Sequence, residues 1–163
     1  MSSLTYDGIA FRPLCAGERR TVLEVFAGLS ERSRRLRFLG PKPRLSGRDL
    51  DALVDIERRE REAIVAVEAA TGRAIGIARF VAYEDGRRAE IAFAVVDAWQ
   101  GHGVGSRLTD ELASALREAG IERVEATLDS GNEPARALLR RLGRIESRRF
   151  VEGELEVVVA LTE

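Results

Sequence analysis

The 163-residue chain is 45% hydrophobic and 33% charged, with a net charge of −1 at pH 7, a composition that suits one packed domain over 1–163 and excludes a disordered chain. Near-neutral charge supplies no global field toward nucleic acid, and no run of about 18 apolar residues could span a membrane. With Cys15 and His102 the only residues of their kinds, an intrachain disulfide and a Cys/His zinc site are excluded, and no metal is expected.

In chain order, the amino-terminal Met1–Asp7 lacks a basic start and an apolar run, so it does not read as a signal peptide and the expected location is cytoplasmic. Residues 9–14 read as a strand. Val22, Val25, Phe26 and Leu29 recur at helical spacing and predict a helix over 16–29. A second short helix starts at Glu31, with Leu36, Phe38 and Leu39 expected inward and its arginines (Arg32, Arg34, Arg35, Arg37) outward. The run Gly40-Pro41-Lys42-Pro43 breaks it, and Ser46 caps a third helix through Ile56. Residues 63–67 and 74–81 read as strands joined by Thr71-Gly72-Arg73. Residues 89–96 form a nearly all-apolar strand, placed centrally. A glycine-rich segment, 101–105, leads into a helix marked by Val104, Leu108, Leu112, Ala115 and Leu116, which Gly120 ends. A strand over 124–128, a helix over 132–142 and a hairpin of 145–151 and 155–161 around Glu152-Gly153 complete the chain. The expected class is α/β (α+β): a mixed, mostly antiparallel sheet of about six or seven strands with helices on both faces.

The strand–loop–helix over 89–106 carries the chemistry. A helix amino terminus offers unpaired N–H groups and partial positive charge, and glycines let a phosphate approach the backbone. A Walker loop requires Gly-Lys before Ser or Thr, and Ser106 follows Gly105 with no lysine. A dinucleotide fingerprint requires a third glycine, where Ser106 or Leu108 stands instead.

The sequence Gln100-Gly101-His102-Gly103-Val104-Gly105 resembles the Q/R-x-x-G-x-G/A motif of the GCN5-related N-acetyltransferases (GNAT), and the order of elements resembles that family along the whole chain. The resemblance implies acetyl-CoA as co-substrate. Amides of Gln100, Gly101, His102, Gly103, Val104, Gly105 and Ser106 would hold its diphosphate. Backbone groups of Ala94, Val95 and Val96 would pair with the pantetheine arm, and the Ala94 amide would polarise the thioester carbonyl. Asn132 would bond the pantetheine, and Arg136 or Arg140 the adenosine phosphates. The tyrosine that many family members use as an acid corresponds to Leu139 here. The amino-terminal half, from Leu29 to Gly40 and on through Leu45-Ser46 and Glu60 to Ala66, is similar to the catalytic module of bacterial protein lysine acetyltransferases. That likeness implies a protein lysine acceptor, such as one on an acyl-CoA synthetase, with a small-molecule amine as the alternative. A monomer or homodimer is expected. A coenzyme A-binding sensor without turnover is the reading from a different class.

Strand alternation sets Ala89, Ile91, Phe93 and Val95 on one face and Glu90, Ala92, Ala94 and Val96 on the other. Glu90 is then the one charge among small apolar side chains, expected to be partly desolvated and to serve as general base for an incoming ammonium. The competing reading pairs it with Arg87 or Arg88 at a strand end. The charge run 57–62 reads as a solvated face, His102 as a solvent-facing spacer, Cys15 as a small core residue and Trp99 as packing for the base of the loop.

Overall fold

A computed structural model describes residues 5–6 and 8–162; the rest of the Met1–Asp7 segment lies outside the described residues. Eight strands form one sheet in the order β1-β2-β3-β4-β5-β6-β8-β7. They are β1 (Thr5–Tyr6), β2 (Ile9–Pro13), β3 (Arg61–Glu68), β4 (Ala74–Ala82), β5 (Arg88–Val95), β6 (Arg123–Asp129), β7 (Gly143–Val151) and β8 (Glu154–Leu161). β1 has only two residues, so seven strands do the structural work, as expected. Every neighbouring pair is antiparallel except β5 and β6.

The helices are α1 (Arg19–Ala27), α2 (Glu31–Phe38), α3 (Gly47–Leu53), α4 (Val104–Glu118) and α5 (Glu133–Leu142). None is long and apolar enough to cross a membrane. α4 buries Val104, Leu108, Leu112 and Leu116 almost completely, a stripe at four-residue spacing that lies along one side of a helix. α2 is capped by Ser30, whose Oγ accepts from the Ser33 amide at 3.1 Å. α3 carries a full capping box between Ser46 and Asp49, which satisfies two amides that helix geometry leaves over.

Several boundaries depart from the sequence expectation for local reasons. α1 starts at Arg19 because Gly17 takes φ 77° and the Glu18 carboxylate gathers Arg12, the Cys15 amide and the Thr21 hydroxyl into a turn. Cys15 is exposed on that turn, not in the core. α3 stops at Leu53, where the chain turns so that Gly17 donates to the Val54 carbonyl at 3.0 Å. α2 buries no side chain fully. Leu39 takes the left-handed conformation at its end and is exposed, while Arg34 and Arg37 turn inward. Arg34 lies over the Phe26 ring at 4.0 Å and donates to the carbonyls of Phe26 and Pro43. β7 follows α5 without a loop. A Cβ at Gly143 would lie 2.0 Å from the Ala160 carbonyl oxygen, so only glycine lets helix and strand meet there.

Gly76 positions the site. A Cβ there would fall 2.9 Å from Leu108 Cδ1 and 3.2 Å from the Ala94 carbonyl oxygen, so α4 lies on β4 with no room for a methyl group. Gly76→Ala is expected to cost about 1–3 kcal/mol through overpacking. An earlier midpoint in urea denaturation checks this, and an unchanged midpoint would mean that α4 yields freely.

Candidate active site

β5 and β6 pair in parallel only over Arg88–Glu90 and Arg123–Glu125. Beyond that point they part, while β4 stays in register with β5 up to Val95 and β8 with β6 down to Asp129. The opening is a cleft of about 420 Å³ lined by Leu36, Ala92, Thr127, Asn132 and Leu139, among others. Parting leaves the backbone groups of one β5 edge without strand partners.

Strand parity decides which groups these are. Val96 donates to the Ile75 carbonyl at 3.0 Å, and Ala94 stands opposite Ile77, so even-numbered residues direct their N–H and C=O toward β4. Ile91, Phe93 and Val95 therefore face the cleft. The expected roles of the Ala94 and Val96 amides are corrected accordingly: both are taken by the β4 ladder. Of the three residues named as pantetheine partners, Val95 alone faces the opening. Its carbonyl accepts from Gln100 Nε2 at 3.0 Å, which leaves its amide as the free group.

From Val96 the chain makes a short 3-10 turn over Asp97–Trp99 and enters the glycine loop. Gly101 and Gly103 take φ 78° and 81°, the left-handed region that glycine enters without strain. Gly103 caps α4 with no side chain to satisfy the helix amides. Among the described residues, none of the amides from Gly101 through Ser106 donates a hydrogen bond. Six successive free amides at the start of a 15-residue helix form a concave donor surface suited to linked phosphates. The His102 ring stands edge-on to Trp99, centroids 5.7 Å apart. His102 is exposed and Trp99 half-buried against the core, as the sequence suggested for both.

The loop is tied to the opposite wall. The Asp97 amide donates to the Gly28 carbonyl at 3.0 Å, and Asp97 Oδ1 accepts from the Ser30 amide at 2.8 Å. Gln100 Nε2 also donates to Ser33 Oγ at 3.2 Å. Burial alone would push the Asp97 carboxyl up; bonds from Ser30 and Ser33 outweigh it and hold the group below the ordinary range.

Across the cleft, Asn132 caps α5 through Oδ1, which accepts from the Ala135 amide at 3.3 Å. Arg136 is half-buried, with Nε lacking a partner and Nη1 3.5 Å from Glu133; Arg140 contacts the same Glu133 at 3.2 Å. Leu139 is buried, with no phenol at that position.

Glu90 sits where the strands part. It shares a face with Ala92 and Ala94, as alternation predicted, and stands opposite Glu125. It is exposed, so the expected desolvation is absent. Among the described residues it makes no hydrogen bond or ion pair. The alternative pairing with Arg88 is absent too: Arg88 binds Asp85 at 2.9 Å and lies 3.4 Å from Glu125. Sequence reasoning missed three neighbours. Tyr83 donates to Glu125 Oε2 at 3.0 Å, and burial followed by that bond pushes its phenol up to about 12. Arg37 and Arg79 approach from the α1–α3 side. The pairing of β4 with β5 sets Arg79 opposite Ala92, which no local pattern in the sequence announces.

The parted strands, the free edge and the amide nest define an acyl-transferase of the GNAT class. Residues 29–143 match the family model described as the acetyltransferase (GNAT) family, and the chain belongs to that family. It is 30% identical to an acetyltransferase of Pseudomonas aeruginosa over 142 residues, covering 86% of this chain and 76% of the relative. It is 32% identical over 111 residues to the acetyltransferase Pat of Mycolicibacterium smegmatis, covering 68% of this chain and 32% of Pat, so the match spans about a third of that relative. Among solved structures, the GNAT domain of S. lividans PAT superposes with a TM-score of 0.85 at 26% identity, covering 98% and 96% of the two chains.

Because the folded-state pKa of Asp97 is depressed, its stabilising effect is present above the ordinary aspartate range and fades as pH falls through the lower, folded value. Asp97→Asn is expected to lower stability by no more than about 1 kcal/mol at pH 7, because solvent screens the exposed carboxylate, and by progressively less toward pH 3, measured by urea denaturation across that range. A parallel offset at every pH would remove the carboxylate's charge from the account.

Proposed function

We propose that the chain binds acetyl-CoA and transfers the acetyl group directly to an amine, with a protein lysine the favoured acceptor. The supporting observation is spatial order along one continuous path. Free amides at 101–106 suit the diphosphate, the free edge of β5 suits an extended amide-bearing arm, and the arm would end beside Glu90. Arm amides laid along Phe93 and Val95 would add a strand where β6 has moved away. Asn132 borders the same cleft and fits the arm, and Arg136, one turn further along α5, fits the adenosine phosphates.

The thioester carbonyl would accept from a cleft-facing amide, Val95 or Phe93, which stabilises the negative oxygen of the tetrahedral state. An amine arrives as an ammonium. Glu90 and Glu125, side by side at the mouth, supply the negative charge that draws it in. Glu90 takes its proton directly or through water. The neutral amine attacks the carbonyl carbon, the C–S bond breaks and coenzyme A leaves as thiolate. With Leu139 in place of a phenol and the Tyr83 proton held tightly, the thiolate takes its proton from solvent or from the acceptor nitrogen.

The lysine acceptor is supported by the sequence likeness of the amino-terminal half to protein lysine acetyltransferases and by the superposition on the PAT domain. An exposed Glu90 also suits a long, flexible side chain reaching in from a protein surface.

Glu90→Gln is expected to keep acetyl-CoA binding, read by calorimetry, and to lower kcat by about 10²–10⁴-fold in an acetyl-transfer assay with a lysine-bearing protein. Equal turnover would remove Glu90 from the mechanism. Gly103→Val, which places a branched side chain at φ 81°, is expected to weaken acetyl-CoA affinity at least tenfold while the chain stays folded by circular dichroism. Unchanged affinity would remove the amide nest from cofactor binding.

A further inference from the structure

A second pocket, open to solvent on one side, lies between α1–α3 and the sheet. Its walls are apolar (Val25, Phe26, Leu29, Phe38, Leu45 and Ile77, among others), and its floor meets Ala92 and Ala94 of β5. Two guanidinium groups enter it, Arg37 from α2 and Arg79 from β4. Both are partly buried. Arg79 donates to the Leu53 carbonyl at 2.8 Å. Arg37 lies 4.8 Å from the Phe38 ring and, among the described residues, makes no hydrogen bond or ion pair. No acidic side chain lines the cavity.

Two cations in one apolar space, without a carboxylate between them, is an arrangement that folding alone does not favour. Burial pushes Arg79 down to about 10, with the charge of Arg37 adding to the effect; burial lowers Arg37 too, opposed only by Glu90. The pocket lacks a negative partner for these cations, and the planar fork of guanidinium matches a carboxylate. Apolar walls around a few convergent polar groups describe a small-ligand site.

We infer that this cavity is a carboxylate-binding subsite, in which Arg37 and Arg79 receive an anionic group carried on a short alkyl chain. The inference deepens the proposed acetyl transfer and rests on it for its enzymatic part, since the floor at Ala92 and Ala94 is the face that bears Glu90. Arg37 also lines the cleft between β5 and β6, so the subsite adjoins the place where acyl group and amine meet. The carboxylate has two possible sources. It belongs to the acceptor, as an acidic side chain beside the target lysine, or to the acyl group, as the distal carboxylate of a dicarboxylic thioester. In the latter case the amine nitrogen bonds to the thioester carbon, the C–S bond breaks and coenzyme A departs as thiolate, as with acetyl.

Three measurements test it. In the binding arm, 50 mM glutarate is expected to raise the midpoint of thermal unfolding of the full chain by several degrees over glutaramide at matched ionic strength, and Arg37→Gln and Arg79→Gln to abolish the difference. In the acceptor arm, kcat/KM is compared for lysine peptides flanked by glutamate or by glutamine. In the donor arm, succinyl-CoA is compared with butyryl-CoA. A preference of at least tenfold for the acid in one arm, reduced to about unity by Arg37→Gln and only partly by Arg37→Lys, identifies the source. Glutarate stabilisation without any acyl transfer would overturn the proposed function and leave the subsite standing. No effect of glutarate together with ratios near unity in the wild-type chain overturns the subsite, and that result needs no variant to fold.

Discussion

The separation of β5 from β6 immediately after Glu90 and Glu125 is the constraint on which the site depends. A sheet that stayed paired would satisfy its own backbone and present nothing to a ligand. By parting, the two strands leave the Phe93 backbone groups, the Val95 amide and the Ile91 carbonyl without a strand partner while β4 and β8 hold each strand firmly on its other side. Both strands leave the point of divergence carrying a carboxylate. The open edge and the acidic mouth therefore have one structural origin.

The second organising contact is Asp97. Its carboxylate and backbone amide fasten the end of β5 to Gly28 and Ser30, and Gln100 adds a bond to Ser33. The glycine loop is thus held by the same segment that roofs the arginine-bearing cavity. Helix α4, pressed onto Gly76, fixes the turn from below. Two glycines with positive φ shape the loop, but their geometry is useful only because packing against Gly76 and tethering through Asp97 aim it.

Much of this was legible in the sequence. Four-residue apolar spacing gave α4, strand alternation put Glu90, Ala92 and Ala94 on one face, and the pattern from Gln100 to Gly105 located the glycine loop that opens that helix. Three things were not legible. The direction of the Ala94 amide depends on which neighbour β5 pairs with, and a side-chain pattern carries no information on that. The inward turn of Arg34 and Arg37 defied the expectation that arginines on a short amphipathic helix face water; Phe26 and two carbonyls at the end of α1 and in the α2–α3 loop attract Arg34. Arg79 sits in an apolar run, where a lone charge reads as tolerated rather than placed, and its relation to Arg37 spans 42 residues of chain that only the sheet brings together. The exposure of Glu90 was misjudged because small neighbours suggest enclosure, whereas here they sit at the mouth of an open cleft.

Gly28 shows what such tight joinery means for change over time. A side chain there would meet Val96 Cγ1 at 2.5 Å, so the α1–α2 connection and the end of β5 sit in direct register and cannot slide past one another. A descendant that adopts a different acceptor cannot do so by shifting this wall. It must exchange side chains that project inward from a fixed frame, and diversity among close relatives should gather at such inward positions as Arg37, Leu45 and Arg79 while the joint itself stays constant.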